Sequence, residues 1–188
     1  RNFGLSPQSN FPVELSVDGN VVATETFSGT INPNEAQPFT FSQTIDLSNS
    51  GQTYSIEART NLSGDEFSSN DSYSKEVRHL LSNDVGVIEM TSPVSGSGLG
   101  LETVTVNLTN FGADVQSNFE VNYTVDGGSP VTEIFTGTLN SEEITSFSFN
   151  QQADLTTLGS YEIEIYTSLS GDQDNSNDSI TEIVENQL

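Results

Sequence analysis

Cysteine and tryptophan are absent from this 188-residue chain, histidine and methionine occur once each, and Lys and Arg together number four. Without cysteine there are no disulfides and no thiol chemistry, so the redox compartment is not legible from the sequence. The single histidine, His79, stands beside Arg78 and Leu80. With no cysteine to join it, it supports neither a nitrogen–sulfur metal centre nor a nucleophile–base pair. No apolar run approaches the ~20 residues that a membrane-spanning helix requires. The scarcity of basic residues, set against 27 acidic ones, gives a formal charge of -23. Such a field repels phosphate backbones and anionic headgroups, which argues against nucleic-acid binding and direct membrane insertion. It is comfortable outside cells, where Ca²⁺ is plentiful and offsets carboxylate repulsion.

What the chain does contain is a repeat. Residues 1–52 set against 109–160, and 54–81 against 161–188, give 38 identities in 80 aligned pairs. Asn2-Phe3-Gly4 matches Asn110-Phe111-Gly112, Asp18-Gly19 matches Asp126-Gly127, and Asn70-Asp71-Ser72 matches Asn177-Asp178-Ser179. Repetition at domain size points to an array of modules. The expected domains are an incomplete repeat at residues 1–81 and a complete one at 82–188. Residues 82–108 have no upstream counterpart. About 27 similar residues are therefore expected to precede Arg1 or to come from another chain, because the missing strands would leave a core face and a sheet edge open.

Period-2 alternation dominates, with turn residues between short apolar runs. Strands are expected near Val85–Met90, Val104–Leu108, Phe119–Val125, Val131–Phe135, Ser146–Phe149, Tyr161–Tyr166 and Ser179–Val184 in the complete copy. The last five recur in the truncated one. Leu80 to Asp84 reads as a short linker, and the Gly96-Ser97-Gly98-Leu99-Gly100 run as a flexible loop; with no helix after it and no Lys nearby, it is no phosphate cradle. Tyr161 and Tyr54, each following a Gly at a strand entry, have the placing of a tyrosine corner, whose hydroxyl bonds back to upstream backbone. The expected fold class is all-β: tandem immunoglobulin-like antiparallel β-sandwiches, the first lacking its two N-terminal strands.

The sharpest polar constellation is Ser-Gly-Asp-x-x-x-Ser-Asn-Asp-Ser in residues 63–72, which recurs in 170–179. Ca²⁺ takes six to eight oxygens, and Asp, Asn and Ser side chains supply them from a flexible hairpin. The same residues are also turn formers. The candidate ligands are Asp172, Asp174, Asn177 and Asp178 with Asp84, and Asp65, Asn70 and Asp71 in the first copy, where Phe67 replaces the second Asp. In a sandwich of alternating strand direction, the loop before the last strand lies at the end where the first strand begins. Asp172 to Asp178 are thus expected beside Asn83 and Asp84, where a cation would brace one domain against the previous one. No catalytic residues are expected: Glu142-Glu143 lie in an exposed turn, and Glu162 and Glu164 alternate with core residues.

The run Val104-Thr105-Val106-Asn107-Leu108-Thr109-Asn110-Phe111-Gly112, followed by Phe119-Glu120-Val121-Asn122-Tyr123-Thr124-Val125-Asp126-Gly127, closes on the acidic hairpin Asp172 to Asp178. It resembles the CARDB family, the cell-adhesion-related domain of bacterial and archaeal secreted proteins. The family's double-Asn run before the last strand appears here as Asp174-Asn175-Ser176-Asn177-Asp178, with Asp in place of the second Asn. The resemblance implies a stalk, adhesin or filament setting on a bacterial surface, with neighbouring repeats and surface glycans as partners. The alternatives are a carbohydrate-binding accessory module of an exported hydrolase and a filament subunit assembled by strand exchange.

Overall fold

The computed structural model describes residues 1–188, which divide into two compact units, Arg1–His79 and Leu80–Leu188. The protein is all-β apart from one three-residue 3-10 turn.

The first unit is one antiparallel sheet. Its strands are β1 (Gln8–Val17), β2 (Asn20–Ile31), β3 (Thr53–Thr60) and β4 (Ser72–Arg78), in the order β2-β1-β3-β4. Alternation on β1 buries Phe11, Val13 and Leu15. The turn to β2 is the Asp18-Gly19 pair, both at positive φ, as a tight two-residue hairpin requires. Phe11 stacks on Phe27 at 5.3 Å, and the aromatic row continues through Phe39 to Phe41.

The second unit holds β5 (Val85–Ser92), β6 (Gly96–Ser97), β7 (Leu101–Glu102), β8 (Thr105–Asn110), β9 (Phe119–Val125), β10 (Val131–Phe135), β11 (Ile144–Ser148), β12 (Ala153–Asp154), β13 (Gly159–Ser168) and β14 (Ser179–Gln187). One sheet runs β10-β9-β13-β14-β6 and another β11-β8-β5, with β12 paired to β7. Their inner faces share one sandwich core that includes Val85, Val106, Leu108, Tyr123, Phe149, Ile163, Ile165 and Val184. The row of rings repeats that of the first unit: Phe119 to Phe135 at 5.1 Å, then Phe147 and Phe149.

Register confirms the repeat in three dimensions. Phe11 faces Phe27 as Phe119 faces Phe135, and Val13 faces Thr60 as Val121 faces Thr167. The first unit therefore corresponds to β9, β10, β13 and β14.

Three expectations are corrected. The truncated copy forms four strands rather than five: Phe39 to Phe41 are coil, although their counterparts border and end β11. The reason is pairing, because β11 is held by β8 and residues 1–79 contain no equivalent of β8. The Gly96-to-Gly100 run is not simply a loop, since β6 pairs in parallel with β14, Gly96 facing Asn186. Leu81 to Asp84 are more than a short linker: the Leu81, Ser82 and Asp84 carbonyls accept hydrogen bonds from the backbone of residues 111–114, which builds them into the second unit.

The tyrosine placings are realised with opposite polarity. Tyr161 donates its hydroxyl to the Thr157 carbonyl at 2.7 Å, whereas the Tyr54 hydroxyl accepts the Asn49 N–H at 3.1 Å.

Candidate functional site

In the second unit the acidic hairpin between β13 and β14 closes over the start of β5, bringing together the residues expected there. Asp172 accepts the Val85 N–H on Oδ2 and the Asp174 N–H on Oδ1, each at 2.9 Å. Gln173 takes the Ser82 and Asn83 N–H groups on Oε1 and donates its own N–H to the Asn83 carbonyl. Asn177 donates from Nδ2 to Oδ1 of the fully buried Asp84 at 2.8 Å. Asp174 Oδ1 accepts from the Ser176 hydroxyl and N–H. Asp178 accepts from Asn175 and from the Thr167 hydroxyl. The carboxylates thus terminate backbone and side-chain donors and lock the hairpin to the first strand. Asn177 Oδ1 is buried without a hydrogen-bond partner. No three His, Cys, Asp or Glu side chains converge in an arrangement suited to a metal ion.

From the other side, β5 is held by the loop after β8. The Asp84 carbonyl accepts the Phe111 and Gly112 N–H groups, the Leu81 carbonyl the Ala113 N–H, and the Ser82 carbonyl the Asp114 N–H. That loop is folded around Asn110, whose Nδ2 donates to the Asp114 and Leu139 carbonyls while Oδ1 accepts the Gly112 N–H. Gly112 and Gly86 are places where the backbones nearly touch. A Cβ on Gly112 would meet the Ser82 carbonyl oxygen at 2.7 Å, and one on Gly86 would collide with the Asn177 carbonyl.

The first unit builds the same frame without the strand. Asn2 donates to the Ser6 and Ile31 carbonyls and accepts the Gly4 N–H, as Asn110 does at its own position. Asp65 Oδ1 accepts the Phe67 N–H, and the Asp71 carbonyl accepts the Thr60 N–H as Asp178 does that of Thr167. Asn70 ends the short 3-10 turn. Beside this frame runs a groove of about 710 Å³, whose lining includes Phe3, Gly4, Phe11, Ile31, Asp65 and Asn70.

Sequence reasoning missed Asn110, Gln173, Thr167 and Gln116, whose Nε2 donates to Asn83 Oδ1 at 2.8 Å. It also missed a set of glutamates that cap turns: Glu25 accepts from Ser42 and Gln43, Glu133 from Asn150 and Gln151, Glu35 from Asn32 and Glu143 from Asn140. The available signal was identity between the copies at polar positions, which Asn2/Asn110, Glu25/Glu133 and Glu35/Glu143 all satisfy.

These roles set the pH response. Hydrogen bonds from Ser42, Asn32, Ser48, Asn140 and Thr156 hold the carboxyls of Glu25, Glu35, Asp46, Glu143 and Asp154 below their ordinary values. A depressed carboxyl stabilises the fold above its unfolded pKa and loses that contribution as pH falls through the folded one. Asp178 runs the other way. Burial pushes it up, the Asp172 and Asp174 charges add, and hydrogen bonds from Asn175 and Thr167 oppose. Its contribution is present below its unfolded pKa and is lost as pH rises through the folded one. Glu143→Gln is therefore expected to lower Tm at pH 7 and by progressively less on acidification. Asp178→Asn should raise Tm at pH 7, with the gain shrinking toward acid. Melting curves between pH 3 and 7 check both signs.

No model of a known protein family matches the chain, and no curated protein matches it. Among solved structures, the chain is similar to the solution NMR structure of a domain (272–376) of a candidate cell surface protein from Methanosarcina acetivorans. The identity is 24%, the TM-score is 0.45, and the match covers 57% of this chain and 94% of that one.

Proposed function

We propose that the chain is a non-catalytic pair of immunoglobulin-like repeats from a secreted bacterial surface protein, serving as a load-bearing stalk or adhesin segment. The observation that carries this reading is the parallel joint between β6 and β14. β6, which follows β5, and the last strand of the unit run side by side in the same direction. Tension that passes β5 pulls them oppositely along their length, so their bonds are loaded together rather than unzipped in turn. Asn186 reinforces the joint: 3% exposed, it accepts the Leu99 N–H and donates to the Leu99 and Leu155 carbonyls. The first unit has no such joint. Consistent with a non-catalytic role, the ring of His79 is exposed and engages only the Leu47 carbonyl.

Pulling the chain by its ends tests the reading. Extended residues span ~3.3–3.6 Å each, so the unfolded units reach roughly 260–280 Å and 360–390 Å, and each unfolding step is shorter than this by the folded unit's own end-to-end distance. The longer step is expected at the higher force, and Asn186→Ala should lower that force alone. A longer step at equal or lower force contradicts load bearing, since forced unfolding reports the unfolding barrier directly.

Calcium enters as an addition to the hairpin clasp, supported by the buried, unused acceptor of Asn177 and by the Asp172 and Asp174 charges that act on Asp178, although the three carboxylates do not converge on one point. With the affinities of ~10⁻⁴–10⁻³ M common to extracellular sites, 1 mM Ca²⁺ would add about 0.4–1.4 kcal/mol. A rise in Tm of a few degrees, abolished in Asp172→Ala/Asp178→Ala, is the expected result. Identical melting curves in calcium and in chelator mean that the hydrogen bonds alone form the clasp. On this reading the partners are neighbouring repeats, and surface glycans where the segment is adhesive.

A further inference from the structure

We propose that the second unit binds an uncharged sugar residue on the solvent face of its five-stranded sheet, at the end where the acidic hairpin closes. The site rests on the adhesin side of the proposed function, gives that side its ligand, and is independent of load bearing.

A cross-strand row builds it. Ile134 on β10, Glu120 on β9 and Ser168 on β13 stand in register. With Asn118, Ser170 and Asn175 from the adjoining loops they line a cavity of about 710 Å³, inside the range of about 300–1,000 Å³ usual for small-molecule sites. One row further along, Asn122 is only 2% exposed, on a face that water reaches at Glu120 and Glu164. Its Oδ1 accepts the Thr132 hydroxyl at 2.6 Å, and its Nδ2 donates to Ser168 Oγ at 3.3 Å. This buried amide braces β10, β9 and β13 beside the cavity, so the row is held before a ligand arrives and less ordering is lost on binding. By donating to Ser168 it also leaves the proton of that hydroxyl to donate in turn.

Both donors and acceptors are left over around the cavity. Asn118 donates to Ser117 Oγ and Asn175 to Asp178 Oδ2, which leaves each of these amides an Oδ1 to accept and Ser117 a proton to give. A sugar hydroxyl both donates and accepts, and this mixed rim offers it partners of both kinds. Ile134, 47% exposed, and Leu169 supply apolar surface for the C–H groups of the ring. Charge removes other classes of ligand. Residues 80–188 contain no Lys, Arg or His, so phosphate, sulfate and carboxylate groups meet only repulsion. An ammonium or metal ion needs acceptors alone and makes no use of the hydroxyl protons of Ser117 and Ser168.

The first unit is the internal control. Ser9, Asn10 and Phe11 repeat Ser117, Asn118 and Phe119, and Asn10 and Asn118 share a positive φ. The positions that build the row do not repeat: Pro12, Glu14, Thr26 and Asn61 stand where the second unit has Glu120, Asn122, Ile134 and Ser168. An ionised Glu14 has no proton to donate, so the brace is absent there.

The test is a nuclear magnetic resonance titration of the whole isotope-labelled chain. The probes are the methyl glycosides of glucose, galactose, mannose and N-acetylglucosamine, with methyl glucuronide as the anionic control. Expected is saturable binding of at least one neutral glycoside that shifts the amides of Asn118, Glu120, Ser168 and Ser170 and leaves those of Asn10 and Asn61 in place. The glucuronide should bind at least fivefold more weakly. Affinity should also fall at least fivefold in Ser170→Ala and in Glu120→Ala; both side chains are exposed, so circular dichroism and Tm should not change. No saturable shift with any of the four neutral glycosides, equal binding of the glucuronide, shifts spread over both units, or unchanged affinity in both variants overturns the proposal. None of these outcomes touches the force measurement, which tests load bearing separately.

Discussion

Ile163→Ala is expected to cost the second unit about 3–4 kcal/mol, and the equivalent Ile56→Ala to cost the first unit less than half as much. The two residues hold the same place in the repeat, one on β13 and the other on β3. Ile163 is fully buried between two sheets, so truncation removes the transfer energy of its methyl and methylene groups and leaves a cavity that close-packed neighbours fill only in part. Ile56 is half-buried on a sheet that no second sheet covers. Truncating it opens a notch that solvent can reach, and the cavity penalty largely vanishes. Chemical denaturation of the chain, followed by resolved signals from each unit, gives both numbers. Equal costs would mean that the first core is closed.

Asn110→Ala is expected to cost the second unit about 2–4 kcal/mol. Its amide is fully buried and joins three main-chain groups: the Asp114 and Leu139 carbonyls at 2.8 and 3.0 Å, and the Gly112 N–H at 2.9 Å. Each group keeps a second partner, the Gly112 N–H on the Asp84 carbonyl and the Leu139 and Asp114 carbonyls under Gln116, so alanine removes three hydrogen bonds of about 0.5–1.5 kcal/mol net each. Relaxation of the loop recovers part of it. The expected fall in Tm is of the order of 10–20 °C for a unit of this size. Asn110→Asp should be no better, because a carboxylate oxygen would then oppose two carbonyl oxygens. Asn2→Ala should follow the same direction with a smaller loss, since the Gly4-to-Ser6 stretch that it organises is exposed. A loss below about 0.5 kcal/mol for Asn110→Ala would remove the side chain from the frame.

Much of the β-structure was readable because alternation is local. Phe119, Val121 and Tyr123 mark one face of β9 whatever pairs with it, and Asp126-Gly127 fixes the hairpin through backbone conformation alone. Pairing between distant segments was not readable. Phe39 and Phe41 carry the strand pattern of Phe147 and Phe149 yet remain coil, because a strand is completed by its neighbour's hydrogen bonds and β8 has no counterpart in residues 1–79. The parallel joint of β6 was hidden for the same reason: Gly96-Ser97 has no strand propensity, and Asn186 and β14 hold it in place. At the site, the meeting of Asp172 and Asn177 with the Asn83–Val85 segment followed from topology. The identity of the donors did not. Composition presents Asp172 as a metal ligand and as a turn former alike, and only the N–H groups of Val85 and Asp174 on its two oxygens distinguish a clasp.

Amide hydrogen exchange measured strand by strand tests the central claim, that the second unit closes its core between two sheets whereas residues 1–79 form a single sheet. Amides of Ile163 and Ile165 on β13 are expected to exchange only through unfolding of the whole second unit, whereas those of Ile56 and Ala58 on β3 exchange through an opening of markedly lower free energy. Equal protection at the two sets of positions would contradict the account.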